Sequence, residues 1–370
     1  MHAVRAFRSR RTAGDASASR RPRRDASWPY GPRVAGRMRD RPHCAAAAHG
    51  AAYPTRRRTN MRNRYRVSAL ALAMGWSASA AAIDLAAPPV NLGSTSFEDG
   101  GGGKGFMFQW SMSNFRASDS YDAGGHRRPG AFSRDLWVAR PHLAYAWDRE
   151  FLGGAPGVEV IQPIASLDIK TGALDESQTR LGNTFVGPFV QWSGKHLFGR
   201  PFSSRLTLGF NVPIGAYDRA AAVNLGNNYW SFNPYYAFTW RGTDKLEVSG
   251  RLMYLWNGRN TDPETSLDAR FGAPVRNTQV GQAWHMNLSA SYLVAPQWRV
   301  GAGMYVFNQS TADRINGINQ AASREHLFGI GPGVQWRGKS DRLIANYYFE
   351  SHARNRAAGE QLVLRWMHVF

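Results

Sequence analysis

The most restrictive feature of this sequence is a repeated alternation of apolar and polar residues over long segments. In "WHMNLSASYLV", for example, Trp284, Met286 and Leu288 alternate with His285 and Asn287. Successive side chains of a β-strand point to opposite faces, so each such segment predicts a strand with one apolar and one polar face. The later chain has no apolar run of about eighteen residues, the length that a membrane-spanning helix requires.

The length of these segments favours a membrane barrel over a soluble sandwich. A tilted strand needs about nine to eleven residues to cross a bilayer, whereas globular strands average about five or six. Trp137 and Trp147 bracket one segment, and Trp230 and Trp240 bracket another, as two aromatic girdles would require. The candidate strands are 105–115, 134–147, 157–169, 181–193, 203–214, 228–240, 244–257, 279–294, 296–309, 325–337, 341–352 and 360–370.

The connections indicate which ends of the strands share a side of the membrane. From residue 241 onward, tight polar turns ("RGTD", "VAPQ", "RGKSD") alternate with long loops at about 258–278 and 310–324. Short turns on one side and long loops on the other are typical of outer-membrane barrels, although the junctions near 148–156 and 194–202 are longer. For residues 104–370 we therefore predict an all-β fold: a transmembrane antiparallel up-and-down β-barrel of about 12 strands, with short periplasmic turns and longer extracellular loops.

Most of the positive charge lies ahead of the barrel. The formal net charge is +20, and residues 1–60 alone contain fifteen Arg, no Lys and three Asp. This stretch has neither the interleaved aromatic residues nor the periodicity of a nucleic-acid-binding arm. We interpret it as an Arg-rich extension that is either translated from upstream of a start at Met61 or disordered after a start at Met1, and we expect no nucleic-acid partner.

Residues 61–82 have the three regions of a secretory signal peptide. "MRNRYR" is basic, "VSALALAMGW" is a short apolar run, and "SASAAA" offers cleavage after Ala80 or Ala82. We predict export to the bacterial outer membrane and a flexible segment over 83–103. The single cysteine, Cys44, precedes the signal peptide, so the mature chain would have no disulfide or thiol chemistry.

Polar faces of the predicted strands would line the lumen. Charged side chains on these faces can brace a filled lumen as ion pairs, or they can form a polar pathway that selects solutes. The sequence leaves both interpretations open. Asn257 and Asn260, with Arg251 and Glu247, would form the mouth of that pathway. Inward aromatic residues would stack on solutes or fill space. The predicted lumen or pathway residues are Arg140, His142, Asp168, Arg205, Asn233, Glu247, Arg251, Asn257, Asn260, His285, Arg299, Glu350 and Arg365.

Motifs for catalysis or cofactor binding are weak. "GGGGKG" at 100–105 lacks the first glycine and the Ser/Thr of a phosphate-binding loop, so a flexible linker is the better interpretation. The histidines show no metal-binding spacing, and we predict no metal, no cofactor and no enzymatic activity. An outer-membrane lipid-active enzyme that uses His142 or His285 with a serine is the least favoured hypothesis.

Several phrases carry a family resemblance. "FVGPFVQW", "FNVPIGAYD", "NLGNNYWSFNPYYAFTW", "LMYLWNGRNTDPET", "GQAWHMNLSASYLV", "IGPGVQW" and "ARNRAAGEQLVLRWMHVF" occur in this order. Together they resemble a family of bacterial outer-membrane β-barrel proteins named for the MetA pathway of phenol degradation, over about 104–370. The resemblance implies a barrel that admits hydrophobic or aromatic compounds, and it supplies no catalytic or ligand residues.

We therefore expect a passive outer-membrane channel for small hydrophobic or aromatic molecules of the phenol type. The alternative is a barrel that serves envelope structure or surface interaction without transport. The expected partners are outer-membrane lipids and lipopolysaccharide, small hydrophobic or aromatic solutes, and the barrel-assembly machinery, which would read the terminal aromatic residue Phe370.

Overall fold

The structure is a computed structural model that describes Leu85 and residues 90–370. The predicted extension 1–60 and the predicted signal peptide 61–82 lie outside the described residues. Within them, the chain forms a closed antiparallel barrel with a short segment inside it. No described helix is long and apolar enough to cross a membrane.

Sixteen strand segments build the described wall, and the remaining elements lie in loops. The wall segments are β1 Gly105–Ser120, β2 Phe132–Ala146, β3 Ala155–Ile161, β4 Ile164–Thr171, β5 Leu174–Leu181, β6 Thr184–Leu197, β7 Arg200–Thr207, β8 Phe210–Val212, β9 Ser231–Phe232, β10 Tyr235–Trp240, β11 Leu246–Asn257, β13 Ala283–Ala295, β14 Trp298–Gln309, β17 His326–Arg337, β18 Asp341–Arg354 and β19 Ala357–Val369. The loop elements are α1 Ser266–Phe271, β12 Thr278–Gln279, β15 Arg314–Ile315 and β16 Ile318–Asn319.

Four wall strands are interrupted for two residues each, so β3–β4, β5–β6, β7–β8 and β9–β10 are single strands with a break. Pro163 and Pro234 lie in two of the breaks and lack the N–H that a ladder needs. Gly182 and Gly209 lie in the other two breaks. Glycine weakens a strand because it has no side chain to pack against its neighbours. Counted this way, the described wall has twelve strands, and the predicted fold class is confirmed.

The barrel closes between the first and last strands. β1 pairs with β2 on one side and with β19 on the other, where Trp110 stands opposite Trp366. In β19, Leu364 and Trp366 are exposed, while Val363 and Arg365 are buried and point inward. This alternation places apolar groups toward lipid, and closure leaves no unpaired strand edge within the membrane.

The two ends of the barrel differ, as the loop pattern predicts. Turns at 198–199, 296–297 and 338–340 join strands at the periplasmic end, whereas residues 258–282 and 310–325 form long extracellular loops. The junction near 194–202, which looked long in the sequence, is a two-residue turn because β6 and β7 extend to meet it. The extracellular junctions at 172–173 and 355–356 are also tight, which the sequence analysis does not predict.

The residues before β1 cross the lumen. Leu85 packs among Leu267 and Ile315 of the extracellular loops, while Glu98 reaches Arg241 in a periplasmic turn. We call residues 90–103 the plug. The structure thus differs from the flexible segment that the sequence predicts over 83–103, because the described part of that segment is packed inside the barrel.

Candidate functional site

Side chains of the wall hold the plug along its length. Asn287 of β13 accepts the Gly93 N–H at 3.1 Å and donates to the Thr95 hydroxyl at 2.7 Å. Thr239 of β10 accepts the Gly100 N–H at 2.9 Å. A buried segment outside the sheet still needs partners for its backbone, and the polar inner face of the wall supplies them.

The upper part of the plug also packs against inward aromatic residues. Leu92 lies in a cluster with Tyr305, Phe307 and Tyr348. Gly93 has a φ of +68°, and a Cβ there would lie 2.8 Å from both tyrosine rings. Only glycine fits this close approach, so these three aromatic residues fill space beside the plug.

A cluster of arginines binds the Glu98 carboxylate near the periplasmic end. Burial alone would raise the pKa of Glu98, but the charges of Arg342 and Arg337, with hydrogen bonds from Arg241 and Gln335, lower that pKa to about 2. The Glu98 oxygens lie 2.8 Å from Arg337, 2.9 Å from Arg241 and 3.5 Å from Arg342. Glu98 is therefore a charged anchor that fixes the plug to several strands at once.

A second ion pair holds the plug beside it. Arg251 of β11 binds the Asp99 carboxylate through two nitrogens, at 2.8 Å and 3.0 Å. The Arg251 guanidinium also lies over the Tyr235 ring, 3.9 Å from its centroid. A planar guanidinium can satisfy a carboxylate and stack on an aromatic face at the same time, and both contacts position this arginine.

The neighbouring wall contains a buried polar network around Glu159. His142 Nε2 lies 2.9 Å from the Glu159 carboxylate, which also accepts a hydrogen bond from the Tyr235 hydroxyl. Arg205 lies 3.6 Å from Glu159 and 4.2 Å above the Phe189 ring. The buried carboxylate is therefore compensated on several sides, as a charge in the lumen requires.

A cavity of about 1170 Å³ remains on the side of the lumen that the plug leaves open. It reaches from Leu225 and Leu267 in the extracellular loops to Lys339 and Met367 near the periplasmic end. Its wall comes mainly from β1, β2, β4 and β19, together with the plug. The plug packs against β13 and β14, which do not line the cavity, so the cavity lies between the plug and the opposite wall.

The cavity changes character along the barrel. Toward the extracellular end, β1, β2 and β4 contribute an apolar face with Phe115, Leu136, Val138, Leu167 and Ile169, and the charged residues Arg134, Glu350 and Arg356 also line the cavity there. Deeper inside, the lining becomes polar, with the residues Ser111, Ser113, Arg140, His142 and Arg365. An apolar wall followed by a few placed polar groups is the usual pattern of a small-molecule site.

The structure separates the predicted pathway residues into groups. Seven of them line the cavity: Arg140, His142, Arg205, Asn233, Arg251, Glu350 and Arg365. Glu247, His285 and Arg299 are buried inside the barrel but do not line the cavity. Glu247 accepts the Glu98 N–H at 2.9 Å, and Arg299 lies 3.9 Å from the Glu98 carboxylate. Both therefore brace the plug.

Asn257 and Asn260, predicted at the mouth of the pathway, hold the extracellular loops together. Asn257 accepts from the Ser231 hydroxyl at 2.9 Å and donates to the Gly281 carbonyl at 3.0 Å. Asn260 donates to the Tyr217 hydroxyl at 3.0 Å. Both are buried, and neither lines the cavity.

The prediction that Asp168 faces the lumen is wrong. Asp168 is exposed, and its strand neighbours Leu167 and Ile169 line the cavity instead. The usual rule of polar inside and apolar outside reverses here. At this height the lumen face is apolar, and the outer face carries charged groups such as the Lys170–Asp175 ion pair.

Sequence reasoning did not identify the acidic residues that matter most to the lumen, Glu98, Asp99 and Glu159. Glu98 and Asp99 lie before the first strand, where alternation gives no information. Of the three, only Glu159 stands out in the sequence, because it is an isolated acid on an otherwise apolar face of β3 and β4.

The described residues contain no group of three or more metal-ligating side chains that could hold an ion. The two histidines of the enzyme hypothesis bond to other groups. His142 contacts Glu159, and His285 Nε2 lies 3.0 Å from the Asn233 amide. Neither ring has a serine hydroxyl as a hydrogen-bond partner in the described part of the chain.

Comparison with known families gives a direct match. The sequence profile of the family described as "putative MetA-pathway of phenol degradation" matches residues 117–366. The chain belongs to this family. The match covers more than half of the chain and confirms the resemblance found in the sequence. Among curated protein sequences, no relative gives a significant match.

Solved structures show the same fold. A COG4313 outer membrane channel from Pseudomonas putida F1 matches with a TM-score of 0.62 and 16% identity, over 78% of this chain and 98% of that one. The β domain of the Bordetella autotransporter BrkA has a TM-score of 0.43 and 14% identity, over 72% and 100%. The TodX monoaromatic hydrocarbon channel has a TM-score of 0.38 and 9% identity, over 73% and 91%. The first match supports an outer-membrane β-barrel.

Proposed function

We propose that this barrel is a passive outer-membrane channel for small hydrophobic or aromatic molecules. The observation that carries the proposal is the cavity of about 1170 Å³ that extends beside the plug. The apolar face toward its extracellular end suits an aromatic ring better than a hydrated sugar, because sugar hydroxyls would lose their water there without gaining hydrogen bonds.

The width of the barrel also favours a selective route over bulk diffusion. Twelve strands enclose a lumen much narrower than that of a porin with 16–18 strands, and here the plug occupies part of it. Solutes of the phenol type are the substrate class that we propose. Family membership supports this choice, since the family is named for phenol degradation.

Uptake across a membrane with a lipopolysaccharide outer leaflet tests the proposal. Such a leaflet slows hydrophobic compounds that would otherwise cross phospholipid directly, so the contribution of the protein becomes measurable. We expect vesicles that contain the protein to take up the aromatic probe N-phenyl-1-naphthylamine several-fold faster than empty vesicles. Swelling assays with a disaccharide should show no comparable increase.

The plug is the observation that favours the alternative, a barrel without transport. Equal uptake of the aromatic probe with and without the protein would overturn the channel proposal and support a structural role. Faster uptake of the disaccharide than of the probe would indicate a polar porin. Recognition of Phe370 by the barrel-assembly machinery and contact with lipopolysaccharide stay predictions.

A further inference from the structure

Two arginines flank one serine on the cavity wall. Ser111 of β1 stands opposite Arg140 on β2 and opposite Arg365 on β19. Adjacent strands are about 4.8 Å apart, so the two arginine backbones are separated by about 10 Å. Arginine side chains are long enough to converge over that distance, and all three residues line the cavity.

These two guanidinium groups lack the carboxylates that other lumen arginines have. Arg140 donates to the Ser113 hydroxyl at 2.9 Å, and Arg365 donates to the Ser96 hydroxyl at 2.7 Å. Within the described chain, no Asp or Glu lies within ion-pairing distance of either one. Arg365 is only 5% exposed, and its Nε has no hydrogen-bond partner there.

The acids that line the cavity are already engaged. Glu98 binds its arginine cluster, and Asp99 is paired with Arg251. Glu350 accepts from the Tyr305 hydroxyl and the Gly359 N–H, Asp341 from the Trp366 indole, and Glu264 from the Asn224 amide. No carboxylate binds either guanidinium directly, and the charge of Asp99 attracts Arg365 only from beyond ion-pairing distance. Burying a cation without a direct counter-ion is costly, so the wall offers a site for an incoming anion.

An apolar surface adjoins the arginine pair on the extracellular side. Val138 and Leu136 share the inner face of β2 with Arg140, and β4 contributes Leu167 and Ile169 beside them. Strands rise about 3.4 Å per residue, so Leu136 lies about 13 Å from Arg140 along β2. That length matches one aromatic ring with a short alkyl chain.

We propose that the cavity binds an amphipathic carboxylate, such as an arylalkanoate, with its carboxylate between Arg140 and Arg365 and its apolar body against β2 and β4. This inference rests on the proposed function and specifies its substrate class: singly charged hydrophobic acids are preferred over neutral compounds of the same shape. Ser111 and Ser113 supply further donors beside the arginines. A guanidinium pair suits a carboxylate because each guanidinium can donate two parallel hydrogen bonds.

Calorimetric titration of the detergent-solubilised protein at pH 7.5 tests this preference. The probes are 4-phenylbutyrate and 4-phenylbutanol, which share the ring and chain but differ in charge. We expect the acid to bind at least about tenfold more tightly than the alcohol, the usual scale for a charge-assisted hydrogen bond. Equal affinities in the unmodified protein would overturn the proposal.

The double variant Arg140→Gln/Arg365→Gln should lose this preference. We expect its affinity for the acid to fall about tenfold or more, while its affinity for the alcohol changes much less. Arg149→Gln, on an exposed periplasmic turn, is the matched control and should behave as the unmodified protein. Heat-modifiable migration in gel electrophoresis would establish that each variant is folded.

The two proposals fail in different ways. One outcome is that the alcohol enters vesicles faster with the protein, but the acid binds no more tightly than the alcohol and its affinity is the same in the double variant. The anion site is then overturned and the channel proposal stands. If neither compound enters faster, the channel proposal fails, while the calorimetric result still decides whether the anion site exists.

Discussion

At the scale of single residues, Glu98 shows how one carboxylate can hold a segment of chain inside a barrel. Its arginine partners come from distant parts of the sequence: Arg241 follows β10, Arg337 ends β17, and Arg342 is the second residue of β18. Those arginines would repel one another without the acid between them. The carboxylate therefore stabilises the arginines, and the arginines stabilise the charged carboxylate. Because its partners lower the pKa of Glu98, the ionised carboxylate stabilises the docked plug.

We predict that Glu98→Gln loosens the plug at neutral pH, because the arginines then face a neutral amide. Accessibility of a cysteine at Ser94, which is buried in the plug, measures this directly. In a chain that starts at Met61 and carries Ser94→Cys, a polymer-linked maleimide should react at least about tenfold faster when Glu98→Gln is also present. Asp148→Asn, which removes only an exposed ion pair with Lys104, is the control and should leave the rate unchanged.

The same carboxylate gives the docked plug a defined pH dependence. Because the folded pKa of Glu98 lies below its ordinary value of 4.5, its stabilisation is complete above that value. It is lost as pH falls through the folded pKa of about 2. Conductance in planar bilayers should therefore stay low from pH 8 to pH 5 and rise toward pH 2 in the unmodified protein. An equal rise in Glu98→Gln over the same range would assign the effect to other groups.

At the scale of elements, β4 and β5 show where the polarity of a barrel strand can mislead. Their hairpin extends toward the extracellular end, so its outer face meets water and carries Asp168 and Lys170. Its inner face forms part of the apolar cavity wall, with Leu167 and Ile169. Alternation still fixes which residues share a face, but polarity identifies the inner face only where lipid surrounds the strand.

We predict opposite outcomes for two neighbouring substitutions in β4. Leu167→Asn places an amide in the apolar wall and should slow uptake of an aromatic solute about fivefold, the equivalent of about 1 kcal/mol. Asp168→Asn, one residue away on the outer face, should leave uptake unchanged. Uptake of N-phenyl-1-naphthylamine into lipopolysaccharide-containing vesicles compares the two, and a larger effect of Asp168→Asn would contradict the assigned faces.

Elements that lipid constrains could be predicted, and elements held by distant contacts could not. The twelve strands, the closing role of β19 and the long loops follow from alternation, length and turn residues. The plug does not, since its backbone is satisfied by Asn287 and Thr239, far away in sequence. Pro163 and Pro234 are visible in the sequence, but only the pairing of β2 with β3 and β4, and of β11 with β9 and β10, shows that both interrupted strands continue across them.

At the scale of the whole molecule, plug and wall carry complementary charge. Glu98 and Asp99 of the plug offset an inner wall in which arginines outnumber acids. The inward wall acids among the predicted and newly identified residues are Glu159, Glu247 and Glu350. The opposing arginines are Arg140, Arg205, Arg251, Arg299, Arg342 and Arg365. Removing the plug would therefore expose a wide and positively charged lumen.

We predict that a variant lacking residues 90–101 forms an open, anion-selective pore. Conductance should rise several-fold, because the part of the lumen that the plug fills becomes water-filled. The reversal potential in a KCl gradient should shift toward that of chloride, since rings of arginine favour anions. Cation selectivity, or a conductance equal to that of the unmodified protein, would contradict the charge complementarity of plug and wall.

The pairing of β1 with β19 has a consequence for when this protein can first bind a ligand. Arg140 and Ser111 come from the first two strands, whereas Arg365 comes from the last. Before β1 pairs with β19, Arg140 and Arg365 lie at opposite edges of the open sheet. The proposed anion site therefore forms only when the barrel closes. A compound that occupies the pair would then bind only the completed form and make reopening of the seam less favourable, by mass action. Ligand affinity would thus report the completion of biogenesis.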